Sequence, residues 1–531
     1  MATASTTTTN RARTIARLTR AGGAVLLAIL LAVASVHVML LRPGHVWGDD
    51  FSMYLLHARC IAEGRAFTDT PYIYNPDYAF LGPPAYPPIA PLLMAPVYCL
   101  FGLNLLAIKG LMVGCFVAAL GFLALLVRQR LWPWYVALLL VLVGVNVFYL
   151  RWIPYIGSDA PFLVFLFLAL WLMEMMLGHS TVPLAKGDGE GVSIKKPKLP
   201  LALAVGVTIY LAFGTRTVGG VLLPVLLVTD LLRSRRLSRG TLLASLVFAL
   251  LVAAQYLLIR PTGGGYADQL NLEPLVLARN AAQYASRLVA VWSNGYWVPL
   301  AAALGLAFLV LALLGYVRAV RQRIGATEVF PVLYLGVILL FPSYQGERFL
   351  LPVLPLYVFY ALLGLQCPWL ESGGRERRWI APTLVSLVLT TTAARLSAHD
   401  FGAIAEGLHR PESAALFDFV SQHTGPDDVF VFAKPRALGL MTGRRAAAFH
   451  RATDDSQMWD FLDRINAGYV VSFDNDRPLA DEEERALANY LRAFIARHGQ
   501  RLEPVYANPD FRVYHIRRNG AALPVGSHPT N

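Results

Sequence analysis

Five ionisable side chains stand where an otherwise oily chain turns polar. Asp49 and Asp50 sit side by side in "HVWGDDFSMYLLHARCIAEGR", just past an apolar run that ends near Leu41. Asp159 in "RWIPYIGSDAPFLVFLFLAL" precedes another such run, Arg216 lies in "AFGTRTVGGVLLP" between two, and Arg348 lies in "FPSYQGERFLLPVLPLY". Adjacent carboxylates near a low-dielectric boundary can raise one pKa, which suits a general base. A guanidinium offers planar, bidentate donors that match a phosphate. Each residue also has a plainer reading. An Asp at a helix N-cap with a second acid in the first turn satisfies the macrodipole. Ser158 or Asp159 can cap the next helix, with Pro161 in its first turn. Either arginine can pair with Glu347, with Asp159 or with bulk phospholipid.

The elements that must position these groups are membrane helices. A chain of 531 residues that is 56% hydrophobic and 15% charged cannot bury its apolar surface in one aqueous globule, so the bilayer serves as its solvent. The net charge of +12 comes in short clusters between apolar runs rather than along one soluble face, which argues against a nucleic-acid partner. Apolar runs at roughly 23–41, 105–127, 133–150, 159–177, 199–214, 218–232, 241–259, 297–317, 328–342, 349–365 and 379–394 give about eleven spans. With that count, every basic cluster falls on one side: Arg11 to Arg20, Arg128 and Arg130, Lys186 to Lys198, Arg233 to Arg239, Arg318 to Arg323, and Arg375 to Arg378. By the positive-inside rule that side is the cytoplasm.

The expected architecture is therefore a polytopic α-helical membrane protein of the inner membrane. Residues 1–22 form a cytoplasmic basic arm, and the first run is an uncleaved span rather than a signal peptide. Residues 23–395 form the transmembrane domain, with a long first external loop over 42–104. In that loop "DFSMYLLHARCIAEGR" reads as helix, while Pro83, Pro84, Pro87, Pro88, Pro91 and Pro96 break any continuous helix into short pieces at the membrane surface. Tyr72, Tyr74, Tyr78 and Tyr86 read as an interfacial aromatic belt, with a sugar-stacking face as the alternative. From Pro411 the composition becomes that of a soluble domain: "ESAALFDFVSQH" as helix, "DVFVFA", "AAAFH" and "GYVVSF" as strands, "DEEERALANYLRAFIARHG" as an amphipathic helix and a closing hairpin. Residues 396–519 are thus an external, periplasmic α/β domain whose acids Asp454 and Asp455 read as solvated, and 520–531 a disordered tail.

Several chemistries have no motif here. Gly263 to Gly265 lack the Lys-Ser or Lys-Thr of a nucleotide phosphate loop, and there is no HExxH, Gly-x-Ser-x-Gly or dinucleotide fingerprint. Cys60 and Cys99 could meet in the first loop, but no cysteine pair has metal-site spacing. Two carboxylates can hold a divalent cation, so a metal is possible but no site is assigned, and no other cofactor is expected.

Taken together, the acidic pair after the first span, "PPAYPPIAPLLMAPVYCLFG", the acid before the fourth span, "TRTVGG" and above all "RFLLPVLPL" resemble the GT-C class of polyprenyl-phosphate-sugar-dependent glycosyltransferases. The nearest branch holds bacterial protein mannosyltransferase-like enzymes and the lipid A aminoarabinose transferase. The resemblance covers residues 23–395, and the α/β domain is similar to the periplasmic domain of many bacterial members. It implies Asp49 as catalytic base beside Asp50, Asp159 as a second acid arranging the site, Arg348 as the lipid-phosphate ligand and Arg216 as its helper. Tyr86, Tyr54 and His57 are the expected substrate-binding side chains. In one respect the sequence departs from the closest branches: the familiar Lys-Pro-Pro is here "AYPP", with Tyr86 in the lysine's place. The implied partners are a polyprenyl-phosphate-linked sugar, a cell-envelope acceptor and membrane lipids, with transfer by inversion on the external face. A lipid or sugar transporter (a flippase) and a non-catalytic envelope assembly protein are the rival readings; the first normally shows internal repeats and mid-membrane charges.

Overall fold

The computed structural model describes residues 22–178, 199–259, 271–292, 298–342, 344–366, 379–397, 399–404, 407–450, 454–475 and 482–518. The basic arm, the lysines from Lys186 to Lys198, Gly263 to Gly265, the arginines from Arg375 to Arg378 and the tail lie outside the described residues.

Helices occupy each of the eleven apolar runs, beginning with α1 (Gly22–Met39). After it come α2 (Asp49–Ala62) and α3 (Ile89–Phe101) of the first loop. The bundle continues with α4 (Leu105–Val127), α5 (Pro133–Gly144), α6 (Val147–Trp152), α7 (Asp159–Gly178), α8 (Leu199–Thr215), α9 (Leu222–Ser234) and α10 (Arg239–Ile259). It closes with α11 (Pro274–Val289), α12 (Val298–Gln322), α13 (Ala326–Leu339), α14 (Leu354–Leu365) and α15 (Ile380–Ser397). Among the described residues six segments are long and apolar enough to cross a bilayer: α1, α4, α7, Thr217–Ser234, α10 and Ala301–Gln322. The protein is an integral membrane protein, but four of the other expected spans, carried by α5, α8, α13 and α14, are shorter than that standard requires. A 12-residue helix such as α5 rises only about 18 Å against a core of about 30 Å. The 133–150 run is also not one helix. It breaks after Gly144, where the Asn146 side chain caps α6 by accepting from the Phe148 amide at 2.9 Å.

Close helix pairs rest on small residues. A Cβ at Gly315 of α12 would fall on the Tyr360 carbonyl, and one at Gly364 of α14 on that of Leu311, so both glycines let the two backbones touch. At one end of the bundle Arg130 pairs with buried Glu328 at 2.8 Å and Arg233 with Glu174 at 2.9 Å. Asp49, Asp159, Arg216 and Arg348 gather at the other.

That other end carries the α/β unit. Its elements are α16 (Pro411–His423), β2 (Val429–Val431), α17 (Pro435–Thr442), β3 (Arg445–Ala447), α18 (Asp455–Arg464), β4 (Tyr469–Phe473), α19 (Glu482–Arg497), β5 (Leu502–Ala507) and β6 (Phe511–Ile516). Helices α17 and α18 were not legible in the sequence. Neither was the sixth strand: β1 (Tyr72–Ile73) comes from the first loop and pairs in parallel with β3, so the sheet order is β1-β3-β2-β4-β6-β5. Alternation along the strands splits the sheet into two buried faces. Val431, Ala447, Val470 and Ile516 pack with α18 and α19. Phe430, Phe432, Ala446, Val471 and Val513 join α16, α17 and the membrane core in one continuous cluster. Trp47 locks this junction, its ring 5.7–6.3 Å from those of Phe417, Phe432, Phe473 and Phe511.

Three local expectations need correction. Cys60 and Cys99 are free thiols; Cys60 is buried and donates to the Asp69 carbonyl at 3.1 Å. Pro96 sits inside the continuous helix α3 rather than ending it. Asp455 is not an unpaired loop acid: it opens α18, and Arg497 and His498 both bind it, each at 2.7 Å.

Candidate functional site

Gly48, not an aspartate, is the N-cap of α2, and both acids lie in the first turn. A Cβ at Gly48 would fall on the Tyr155 hydroxyl, so any other residue before the pair would have to displace that ring. Successive helix residues point about 100° apart, and the two acids accordingly part company. Asp49 is buried and turned toward the α/β unit, where its Oδ1 accepts from the Ala437 amide at 3.1 Å, at the N-terminus of α17. Asp50 faces a cavity of about 620 Å³, with 41% of its side chain exposed.

Asp50 is held at both oxygens. Its Oδ1 accepts from the Tyr86 hydroxyl at 2.6 Å and its Oδ2 from Arg348 Nη1 at 3.3 Å. Arg348 turns its Nε to Asp159 Oδ2 at 2.5 Å, and the other Asp159 oxygen accepts from Arg216. Asp159 thus binds both arginines, as the pairing alternative allowed, while Glu347 is 3.4 Å from Arg287. Both guanidiniums also line the cavity. Each has five N–H donors, and Asp159 takes one from each. Arg216 lies 5.2 Å from the centre of the Phe349 ring. Arg348 is presented by the turn at Gly346, whose φ of +74° and ψ of −175° are open only to glycine. Leu272, Ile338, Phe341 and Pro342 add apolar lining to the same cavity.

The expected substrate-binding residues divide. Tyr54 and Tyr86 line the cavity, Tyr54 donating to Ser158 Oγ at 2.9 Å. His57 does not reach it. The ring is buried, stacks on Phe67 and spends both nitrogens on backbone, Nδ1 on the Phe67 carbonyl at 2.8 Å and Nε2 on the Tyr86 amide at 3.2 Å. Burial pushes its pKa down to about 4, consistent with a neutral ring that orients Tyr86. Nor do Tyr72 and Tyr86 form part of an aromatic belt. Their rings flank the guanidinium of Arg436 at 4.6 and 4.9 Å.

Arg436 is the residue that sequence reasoning missed. It belongs to α17 and is fully buried. It donates to the Tyr86 hydroxyl at 2.6 Å and to the Gly82 and Pro83 carbonyls, and stands 3.8 Å from each of Asp49 and Asp50. One signal was available: "KPRALGLM" puts Lys434 and Arg436 at a helix N-terminus, where the dipole disfavours cations, so an acid partner was required. Asp49 is that partner.

The two carboxylates differ electrostatically as they do in direction. Burial pushes Asp49 up to about 6, with Arg436 and Lys434 pulling against it. Burial also opposes ionisation of Asp50, but Arg348, Arg436 and the Tyr86 hydroxyl outweigh it and hold that carboxyl below its usual range. Among the described residues no three His, Cys, Asp or Glu side chains converge in the manner of a metal site.

No family model matches the sequence, and no curated protein sequence matches it. Solved structures do. ArnT from Cupriavidus metallidurans, bound to undecaprenyl phosphate, superposes with a TM-score of 0.53 at 13% identity over 94% of this chain and 98% of that one. The oligosaccharyltransferase AglB from Archaeoglobus fulgidus, in complex with an inhibitory peptide and a dolichol-phosphate, gives 0.53 at 13% identity over 84% and 69%. The arabinofuranosyltransferase AftD from mycobacteria gives 0.54 at 12% identity over 93% of this chain but only 41% of its own length. The chain therefore has the fold of the GT-C glycosyltransferases.

Proposed function

We propose that the protein is a membrane glycosyltransferase that moves a sugar from a polyprenyl-phosphate carrier to a cell-envelope acceptor, at the external end of the bundle where the α/β unit sits. The observation that carries this reading is the cavity itself: among the described residues it is lined by Arg216 and Arg348, by one carboxylate, Asp50, between Arg348 and Tyr86, and by the apolar side chains of Leu272, Ile338 and Phe341. The carrier's phosphate meets the two guanidiniums and its first isoprene units meet Leu272, Ile338 and Phe341. The undecaprenyl phosphate in ArnT and the dolichol-phosphate in AglB support a donor of this class.

In the reaction, an acceptor hydroxyl or amine attacks the anomeric carbon from the face opposite the phosphate. The new bond forms as the carbon–oxygen bond to phosphate breaks, the electron pair leaves on the phosphate oxygen, and the acceptor's proton passes to Asp50. Configuration inverts. Arg216 and Arg348 stabilise the charge that grows on the leaving phosphate, and Asp159 keeps both aimed at it. Asp49, the expected base, instead anchors α17. A positive-inside orientation places the site outside the inner membrane, with the amino terminus in the cytoplasm. In membranes supplied with an undecaprenyl-phosphate-linked sugar, Asp50→Asn abolishes transfer and Arg348→Ala weakens binding of undecaprenyl phosphate. Transfer at the wild-type rate by Asp50→Asn refutes the assignment.

A further inference from the structure

Tyr86 has one hydroxyl proton, and its oxygen stands 2.6 Å from Arg436 Nη1 and 2.6 Å from Asp50 Oδ1. A guanidinium only donates, so the Tyr86 oxygen accepts from Arg436 and its proton is directed to Asp50. Arg436 cannot turn away: it is fully buried, flanked by two tyrosine rings and tied to two backbone carbonyls of the first loop.

We propose that the α/β unit supplies Arg436 as a positioning residue for Asp50, acting through the Tyr86 hydroxyl, so that the site is complete only when that unit is docked. This rests on reading Asp50 as the proton acceptor and deepens it. The clamp works at both ends of the carboxylate. Arg348 fixes Oδ2 from the membrane bundle and the Arg436–Tyr86 pair fixes Oδ1 from the α/β unit, while 41% of the Asp50 side chain stays exposed. Arg436 also contributes field, since its own side chain is fully buried and lies 3.8 Å from Asp50. A guanidinium buried for structural reasons alone needs a counter-charge, and Asp49, 3.8 Å from its Nε, is one. The contact that runs on through Tyr86 to the cavity-facing acid is additional to that requirement. The adjacent acids thus serve one arginine in two ways, Asp49 balancing its burial and Asp50 receiving its influence.

The test titrates Asp50 directly in the full-length protein in detergent. Its carboxyl band is identified in infrared spectra by difference against Asp50→Asn, and binding of undecaprenyl phosphate is measured in parallel. The charged and titratable groups facing Asp50 are Arg348 with Asp159 behind it, Arg436, Tyr54, Tyr86, Tyr155 and Asp49. Arg436→Met and Tyr86→Phe are expected to raise the Asp50 midpoint by about one pH unit or more, a tenfold change in proton affinity. In Arg436→Met, whose side chain does not line the cavity, undecaprenyl phosphate binding should change less than about threefold, because a tenfold change already needs about 1.4 kcal/mol. An Asp50 midpoint unmoved by Tyr86→Phe overturns the proposal. That variant loses a single hydroxyl, so it decides the matter even where Arg436→Met fails to fold. Wild-type protein that binds no undecaprenyl phosphate refutes the donor reading instead, and leaves the titration to judge Arg436.

Discussion

Acidification separates the two adjacent aspartates as proton acceptors. A general base works only in its ionised form, so the transfer rate falls on the acid side with the pKa of whichever carboxylate serves. Asp49 is pushed up to about 6 by burial. Asp50, despite its burial, is held below 3.8 by Arg348 and Arg436. At about pH 5, a group with a pKa near 6 is about one-tenth ionised, whereas one below 3.8 is more than about nine-tenths ionised. Serving as the base, Asp49 would cost the enzyme about tenfold in rate between neutrality and pH 5, while Asp50 would cost it almost nothing. The assay is initial-rate transfer from an undecaprenyl-phosphate-linked sugar between about pH 4.5 and 7.5, in membranes, with thermal stability followed over the same range. A donor phosphodiester stays ionised throughout and adds no limb of its own. We expect a rate that is flat from pH 7 to 5. A limb centred near pH 6, in protein that stays folded, refutes the assignment of Asp50 and returns the role to Asp49.

Three further outcomes follow from the packing. The fold binds the Asp49 proton more tightly than the unfolded chain does, so this group's contribution to stability is complete below 3.8 and is lost as pH rises through about 6; Asp49→Asn is expected to flatten that slope in thermal melts. Trp47→Ala empties a nest of four phenylalanines and is expected to cost about 3–5 kcal/mol, read as early protease cleavage between the bundle and the α/β unit. Gly346→Ala forces a side chain into a glycine-only conformation at a cost of about 1–3 kcal/mol; it should weaken undecaprenyl phosphate binding by displacing Arg348, while Asp50 keeps its Tyr86 contact.

What could be read from the sequence was set by the range of the signal. The apolar runs report a solvent, and a solvent acts locally, so helices stand where the runs stood. The short and broken ones (α5 with α6, α14) depend on neighbours that no window contains. Arg216, Arg348 and Asp159 stood out as charged residues at the edges of apolar runs, and they do meet. The identity of the cavity-facing acid was illegible, because capping chemistry is the same for Asp49 and Asp50 and only the partner in α17 tells them apart. His57 looked like a site residue because histidines so often are; two backbone contacts explain it instead. Arg436 was hidden by distance, since its partners lie about 350 positions away.

The strand that the first loop lends to the carboxyl-terminal sheet sets an order of assembly. Asn75 binds the carbonyl of Ala448, 373 positions further on, and β1 has no partner until β3 exists. The ribosome makes the loop with Asp50 and Tyr86 long before Arg436, 350 positions beyond Tyr86, so the first loop emerges before the helix that covers it exists. Closing so large a loop is slow to begin and little disfavoured once complete. The clamp proposed for Asp50 therefore closes only once α17, whose Arg436 lies 350 positions beyond Tyr86, has been translated and docked against the first loop.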